Sequence, residues 1–436
     1  MHKTFKKLDI LAMILEFEIE NYRSIKDKQV FSMVAESSKS KPDNVFEHQL
    51  ASGDTVRLLK AAVIYGANAS GKSNLLRAFF SFKRFIVAKL SIDDLIEFYD
   101  PFLFDTTSKN QPTHFSLTFI GEGNYKYKYA IAFNNEEVFT ENLDYYPKGK
   151  PQNLFKRPID KSKDGSIHTA KLGQIKHNKT LKVFRNQLVL SKFGFDTPDE
   201  FFSPIYQYFN SKNFSILSPS VQDNLEKFIS INERSIIENP ELIAKLNKLL
   251  HISDTKIEEV FVLEKAGHNK NLTTKKKKYD TFANHAVFTN KQRTGTQSLS
   301  LEQQSKGSKI LFALGVDMLH KLKLGGVYII DEIDTSLHPK LAKTLIQLFQ
   351  NKISNPKNTQ IIFSTHETAF LDKDLFRKDQ IWFTEKNDYG ETELFSAQDF
   401  DKVREDTPFD KWYLAGKFGG IPDIQSVESI FDNGTP

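Results

Sequence analysis

The chain has 436 residues, enough for two or three domains, and 39% of them are hydrophobic, which suffices for a core. Its 60 basic and 55 acidic residues leave a net charge of +5, too near balance to indicate nucleic-acid binding alone. The absence of cysteine excludes disulfides, Cys-ligated zinc, iron–sulfur clusters and a cysteine nucleophile. No apolar run approaches the length of a membrane span, so we expect a cytoplasmic protein with no membrane partner.

The amino-terminal region predicts a β-hairpin, a buried strand and a helix. Residues 13–33 alternate between apolar and polar and turn at 23–27, which is typical of a hairpin. The run "LLKAAVIYG" (58–66) is short, apolar and ends in glycine, which indicates a buried strand, and helical spacing follows it. Residues before Met13 are interpreted as a short extension.

The middle of the chain, 93–290, predicts an antiparallel sheet followed by helices. The segments "PFLFD", "THFSLTFI", "YKYKYAIAF" and "ENLDYYP" predict strands, and "FFSPIYQYFNS", "VQDNLEKFISI" and "NPELIAKLNKLLHI" predict helices. No heptad pattern persists, which argues against a long coiled coil. Four lysines at 275–278 indicate a solvated loop or hairpin tip, with a phosphate-contacting patch as the alternative.

From Leu299 onward the pattern alternates between helices and strands again. "SKGSKILFALGVDMLHKL" predicts a helix, "GGVYIIDEID" a strand, "PKLAKTLIQLFQN" a helix and "TQIIFSTHE" a strand, before a closing hairpin. The sequence therefore predicts an α/β fold in three ranges. Two parts of one α/β domain, 13–92 and 291–425, flank an insertion at 93–290, which is a candidate dimerisation or partner-binding arm.

A phosphate-binding loop stands between the predicted strand and helix of the first range. Glycines in G-x-x-x-x-G-K-[ST] let backbone N–H groups surround phosphates, and the following helix directs its positive end at the same anion. Lys72 would reach the β- and γ-phosphates and Ser73 would ligate Mg²⁺. The predicted nucleotide-binding residues here are Gly66, Ala67, Asn68, Ala69, Ser70, Gly71, Lys72, Ser73 and Asn74.

Polar residues at the ends of two later strands complete the predicted chemistry. Asp331 would hold Mg²⁺ and Glu332 would polarise the attacking water, although a strand ending in solvated carboxylates is the plainer alternative. His366 would donate to the γ-phosphate, or be structural. Ser305 and Gly307 begin a helix, which is either a second anion site or an ordinary capped end.

The order of phosphate loop, insertion, Ser-x-Gly helix, "IIDE" and "STH" resembles the ATP-binding-cassette (ABC) ATPase head of the SMC, Rad50 and RecF group. More narrowly, "IYGANASGKSNLL", "DEIDTSLHP" and "YLAGKFGGIPDI" resemble the AAA15-type, ABC-like ATPases of the RloA, AbiL and PARIS anti-phage defence group. The resemblance covers nearly all of residues 13–425.

The resemblance implies that two heads sandwich ATP and Mg²⁺, so we expect a homodimer or higher homo-oligomer. Ser305 and Gly307 of one copy would face the γ-phosphate held by the other, and Asp334 matches the loop that crosses this interface. Lys306 and Ser308 depart from the usual Leu-Ser-Gly-Gly-Gln signature, which weakens that match. Gln111 is the candidate for the Mg²⁺-contacting glutamine. Arg23 is either a nucleotide contact or a solvated turn residue.

Three hypotheses for the function of this chain agree with the resemblance. The first is a Mg²⁺-dependent ATPase that acts as sensor or scaffold in abortive infection and controls a separate effector. Too few residues follow His366 for a TOPRIM domain, so we expect a nuclease effector to be a separate chain, and the resemblance suggests a TOPRIM-type partner. It leaves open a phage-protein trigger and nucleic-acid binding. The alternatives are a RecF-like DNA-repair ATPase and a nucleotide-binding scaffold without turnover.

Overall fold

The computed structural model describes residues 13–158, 167–173, 179–217, 225–253, 255–264, 279–335 and 337–421. The lysine run at 275–278 and the extension before Met13 lie outside the described residues. The strands are β1 (Met13–Glu20), β2 (Gln29–Ser32), β3 (Val45–Gln49), β4 (Thr55–Leu59), β5 (Ala61–Gly66), β6 (Thr113–Ile120), β7 (Lys126–Phe133), β8 (Val138–Tyr145), β9 (Gln152–Arg157), β10 (Ile167–Leu172), β11 (Thr180–Phe184), β12 (Phe214–Leu217), β13 (Glu259–Glu264), β14 (Tyr279–Thr289), β15 (Gln292–Ser300), β16 (Val327–Ile330), β17 (Gln360–Ser364), β18 (Ile381–Lys386) and β19 (Thr392–Ser396). The helices are α1 (Lys72–Val87), α2 (Val189–Ser191), α3 (Phe202–Asn210), α4 (Leu225–Ile237), α5 (Pro240–Ile252), α6 (Lys306–Leu324), α7 (Pro339–Gln350) and α8 (Phe409–Leu414).

A mostly parallel sheet of order β12-β16-β17-β5-β18-β19 forms the centre of the head. Only the last pair, β18 with β19, is antiparallel, as the predicted closing hairpin requires. Strands β5, β16 and β17 are buried on both faces, which explains their nearly continuous apolar runs. Ala62 and Ile64 face a core shared with α1, whereas Val63 and Tyr65 face a core shared with α6 and α7. The predicted α/β fold is confirmed.

An antiparallel sheet of order β11-β10-β9-β8-β7-β6-β1-β2 packs over α1. The predicted amino-terminal hairpin is its outermost pair, and β1 also pairs with β6 along its length. The contact with α1 is aromatic, with the rings of Phe17 and Phe79 stacked at 4.0 Å between centroids. The sheet thus runs across the predicted boundary at residue 93, and the division into three ranges stays a prediction.

One predicted strand is wrong. The segment "PFLFD" is a loop, in which the backbone N–H of Phe102 donates to the side-chain oxygen of Asn21. Phe102 is buried, but Leu103 and Phe104 are 66% and 77% exposed, so the alternation that predicted a strand stops after one residue. Pro101 cannot donate to a neighbouring strand, which also disfavours a sheet here.

Two smaller sheets complete the fold. Strands β13, β14 and β15 form an antiparallel sheet that leads directly into α6, and β3 pairs with β4. The three predicted helices of the middle region are confirmed as α3, α4 and α5. No helix in the described part of the chain combines the length and apolarity that crossing a bilayer requires.

Candidate functional site

The predicted phosphate loop connects β5 to α1 at the carboxyl edge of the parallel sheet. Gly66 has φ of 155° and Gly71 has φ of 119°, a region that favours glycine. A Cβ on Gly66 would collide with the carbonyl of Thr384, and one on Gly71 would collide with the side chain of Thr392. Both glycines are therefore required by close approach of the β18–β19 hairpin as well as by backbone conformation.

Lys72 lies folded over its own loop. Its Nζ donates to the carbonyl of Gly66 at 2.8 Å and to that of Ala67 at 3.0 Å. Burial lowers the pKa of Lys72 to about 8, and the carboxylates of Asp331 and Glu332 partly oppose that effect. The ammonium is therefore held by two neutral carbonyls, with negative charge close by.

The paired carboxylates follow β16 at the same edge. Asp331 is 5% exposed, and its Oδ1 accepts a hydrogen bond of 2.5 Å from the hydroxyl of Ser364. The backbone N–H of Glu332 donates to the same hydroxyl oxygen at 2.8 Å. Glu332 has φ of 54°, which is uncommon for a residue with a side chain. The Asp331 carboxylate and the Glu332 backbone are therefore fixed by the neighbouring strand.

His366 lies beside Glu332. Its Nε2 is 3.9 Å from Glu332 Oε1, with both side chains partly exposed. Burial and then the charge of Lys72 lower the pKa of His366, while Glu332, Asp334 and Asp331 act in the opposite direction. The structure thus brings together the predicted loop lysine, both carboxylates and the histidine, which come from three strand ends.

Gln111 has no described contact with these groups. Its backbone carbonyl accepts from Asn21 Nδ2 at 2.8 Å and from the Tyr99 hydroxyl at 2.9 Å, while its side chain is exposed. Ser73 occupies the first turn of α1. In the described ranges no group of three or more His, Asp or Glu side chains could hold a metal ion. The metal-binding roles of Ser73, Asp331 and Gln111 stay predictions.

Ser305 and Gly307 lie at the start of α6, and Ser305 bonds within its own helix end. Its Oγ accepts from the backbone N–H of Ser308 at 3.1 Å and contacts the Ser308 hydroxyl at 2.9 Å. Ser305 is exposed. The same-chain contacts are therefore those of a capped helix, and the structure does not bring Ser305 to its own phosphate loop.

A hydroxyl network that the sequence did not reveal ties the phosphate loop to two other elements. The Thr392 hydroxyl donates to the carbonyl of Ser70 at 2.8 Å, and its oxygen lies 2.7 Å from Ser24 Oγ. Asn74 Nδ2 also donates to Ser24 Oγ, at 2.7 Å. Ser24 and Thr392 are separated from the phosphate loop by tens to hundreds of residues and belong to no motif, so no local pattern predicts their contact with it.

Arg23 joins the same region from the β1–β2 turn. Its Nη1 donates to Asn74 Oδ1 at 3.3 Å, and its Nε lies 2.7 Å from Asp100 Oδ2. The side chain is therefore next to the phosphate loop and not free in solvent, although a nucleotide contact stays a prediction.

Comparison with known proteins identifies the family. The family model described as "AAA domain, putative AbiEii toxin, Type IV TA system" matches residues 61–372, which is most of the chain. The chain belongs to this AAA family. The match to this AbiEii-type AAA family spans the phosphate loop, the carboxylates and His366. A search of curated proteins found no match.

Several solved structures are similar at low identity. An SMC head domain from Thermotoga maritima matches with a TM-score of 0.43 and 12% identity over 88% of this chain and 98% of that chain. An SMC head from Pyrococcus furiosus, bound to the C-terminal domain of ScpA, gives a TM-score of 0.45 and 13% identity over 88% and 96%. The recombination mediator RecF with ATP gives 0.37 and 13% over 88% and 100%.

Proposed function

We propose that this AbiEii-type AAA protein binds and hydrolyses ATP with Mg²⁺. The observation that carries the proposal is the convergence of Lys72, Asp331, Glu332 and His366 at the carboxyl edge of one parallel sheet, where α/β proteins bind ligands. A phosphate loop alone would support phosphate binding only. The addition of a carboxylate pair at the same edge supports phosphoryl transfer to water.

The residues present suit both ATP and its metal ion. Gly66 and Gly71 have positive φ, which lets the loop turn so that its backbone N–H groups can surround phosphate oxygens. Ser73 and Asp331 provide hard oxygen ligands of the kind that Mg²⁺ takes alongside substrate phosphates. Bound there, Mg²⁺ would neutralise charge on the β- and γ-phosphates.

Each side chain has a role in this proposal that follows from its position. Lys72 exchanges the carbonyls of Gly66 and Ala67 for phosphate oxygens, since an anion is a stronger acceptor than a neutral carbonyl. Glu332 accepts a hydrogen bond from the attacking water and orients it. His366, with a lowered pKa, donates one N–H to the γ-phosphate in its neutral form.

We infer further that a second copy completes the site. Ser305 is exposed at the positive end of the 19-residue helix α6, and its own contacts end at Ser308. Gly307, in the first turn, leaves the helix end open to an approaching anion. Asp334 lies in the turn after β16, where its charge acts on Lys72, so the loop that would cross the interface stands beside the phosphate loop.

The biological role proposed is that of sensor or scaffold in anti-phage defence, controlling a separate nuclease or toxin. The support is the family description, which names a toxin and a toxin–antitoxin system, together with the RloA, AbiL and PARIS resemblance. Closure of two heads around ATP would couple nucleotide state to association, as a switch requires. A TOPRIM-type nuclease encoded nearby is the partner expected.

The test combines turnover with association. We expect Mg²⁺-dependent ATP hydrolysis by the wild-type protein, and Glu332→Gln should retain ATP but lower turnover at least about a hundredfold. Glu393→Gln, which changes an exposed carboxylate on β19, is the matched control and should hydrolyse normally. ATP binding without hydrolysis by the wild type would favour the non-hydrolysing scaffold.

A second measurement addresses the partner. The protein should copurify with the product of its neighbouring gene, and the mass of the complex should change when ATP is added. A stable homodimer without that partner, whose hydrolysis is stimulated by DNA, would instead support the RecF-like alternative.

A further inference from the structure

The hydroxyl of Ser364 lies between the two carboxylate residues. Ser364 ends β17, is fully buried, and its Oγ donates to Asp331 Oδ1 at 2.5 Å. The same oxygen accepts from the backbone N–H of Glu332 at 2.8 Å. One hydroxyl therefore contacts both residues: it donates its single proton to the Asp331 carboxylate and accepts, through a lone pair, from the Glu332 backbone N–H.

Strand order places the hydroxyl there. β16 and β17 are parallel neighbours with Ile330 opposite Phe363, so the next residue of each strand, Asp331 and Ser364, meet at the sheet edge. The backbone N–H of Ile333 also donates to the Ser364 carbonyl, at 3.2 Å. The turn after β16 is thus bonded to Ser364 through both side chain and main chain.

The backbone of Glu332 depends on such support. A residue with a side chain at φ of 54° is held in a sparsely populated region and persists only where its surroundings fix it. The Ser364 bond to the Glu332 amide fixes the main chain, and the Thr335 hydroxyl donates to Glu332 Oε2 at 3.3 Å. Without the Ser364 hydroxyl, the backbone N–H of Glu332 would lose its acceptor, and the hydrogen bond that stabilises the positive φ of Glu332 would be lost.

We infer that Ser364 is a positioning residue of the proposed ATPase site. It orients the Asp331 carboxylate towards the metal and holds the Glu332 backbone so that its carboxylate faces the attacking water. His366 follows two residues later in the chain, so one strand end sets the geometry of the acid pair and of the histidine together. This inference rests on the proposed function.

The test compares four variants in the full-length protein. Ser364→Ala removes the hydroxyl, Ser364→Cys keeps the volume with a weak donor, and Ser364→Thr keeps the hydroxyl. Thr359→Val is the matched control, because Thr359 directly precedes β17 and is equally buried, and its hydroxyl makes only a 3.4 Å bond to the carbonyl of Lys321. Thermal unfolding without nucleotide shows which variants are folded.

We expect Ser364→Ala to lower kcat roughly tenfold to a hundredfold, the size of one lost hydrogen bond to a charged group, with KM for ATP within about twofold. The Mg²⁺ concentration for half-maximal thermal stabilisation by a non-hydrolysable ATP analogue should rise several-fold. Ser364→Cys should be intermediate, Ser364→Thr close to wild type, and Thr359→Val unchanged in both measurements.

The outcomes separate this inference from the proposed function. If the wild type neither hydrolyses ATP nor is stabilised by Mg²⁺ and the analogue, the proposed function fails. If the wild type turns over and folded Ser364→Ala and Ser364→Cys match it in kcat and in Mg²⁺ midpoint, the positioning role is refuted. Equal losses in Thr359→Val would likewise refute it, because they would indicate a general effect on β17.

Discussion

Nucleotide binding should weaken as the pH rises through about 8, because the buried lysine of the phosphate loop loses its charge there. Burial lowers the pKa of Lys72 from 10.5 to about 8 in the nucleotide-free protein. Phosphates would raise that pKa on binding, so binding takes up a proton whenever Lys72 starts neutral. The association constant therefore falls with increasing pH above the free-protein pKa, and is constant below it.

The magnitude follows from the fraction of charged Lys72. With a pKa of about 8, that fraction falls from about nine-tenths at about pH 7 to about one-tenth at about pH 9. ATP affinity should therefore fall roughly tenfold over this range, which corresponds to about 1.4 kcal/mol. The protein should take up about half a proton for each ATP bound at about pH 8.

Isothermal titration calorimetry in buffers of different ionisation enthalpy measures both quantities. Lys72→Arg is the control, since a guanidinium keeps its charge throughout this range. Its affinity should be lower but independent of pH from about 7 to about 9. A wild-type affinity that stays constant over that range, with no proton uptake near pH 8, would refute the assignment of Lys72 as the phosphate-binding charge.

Three further predictions concern other parts of the molecule. Gly71→Ala should abolish ATP binding, measured by calorimetry, and should lower the free energy of unfolding by more than Gly53→Ala does. Both glycines have positive φ, but only Gly71 has a neighbouring side chain, that of Thr392, in the space that a Cβ would occupy. Equal losses of stability in chemical denaturation would contradict this prediction. Arg157→Met should lower the free energy of unfolding by about 3–5 kcal/mol, because it removes the cation that faces the buried Glu141 carboxylate. The double variant with Glu141→Gln should recover part of that loss in urea unfolding. The Ser305→Arg protein should not hydrolyse ATP by itself, and neither should Lys72→Ala. A mixture of the two should regain part of the activity, because each copy supplies the part of a shared site that the other lacks. No recovery on mixing would contradict a site shared between copies.

Most elements of the fold follow from local patterns. The strand before the phosphate loop, the helix after it and the "IIDE" strand each combine apolar periodicity with a terminal signal, and the structure places them as predicted. The loop at Pro101–Asp105 does not follow from such a pattern. Its apolar residues imitate a strand, but the side chain of Asn21, which is distant in the sequence, takes the backbone N–H of Phe102 and turns the chain.

Gln111 and Ser305 show the same limit within the site. Order along the chain predicts both, yet the side chain of Gln111 is exposed and Ser305 bonds only within its helix end. In the proposed site the nucleotide would reach Ser305 from a second copy of the chain, which no sequence position specifies.

The sequence by itself determined the loop between β5 and α1, because its glycines, Lys72 and Ser73 belong to one continuous segment. It also determined which carboxylates and histidine end the buried strands. Tertiary structure alone decided that Ser364 bridges Asp331 and Glu332, and that Thr392 packs against Gly71. The physical reason is that these contacts depend on which strands are neighbours and in what register, and strand order is set by the packing of the whole sheet.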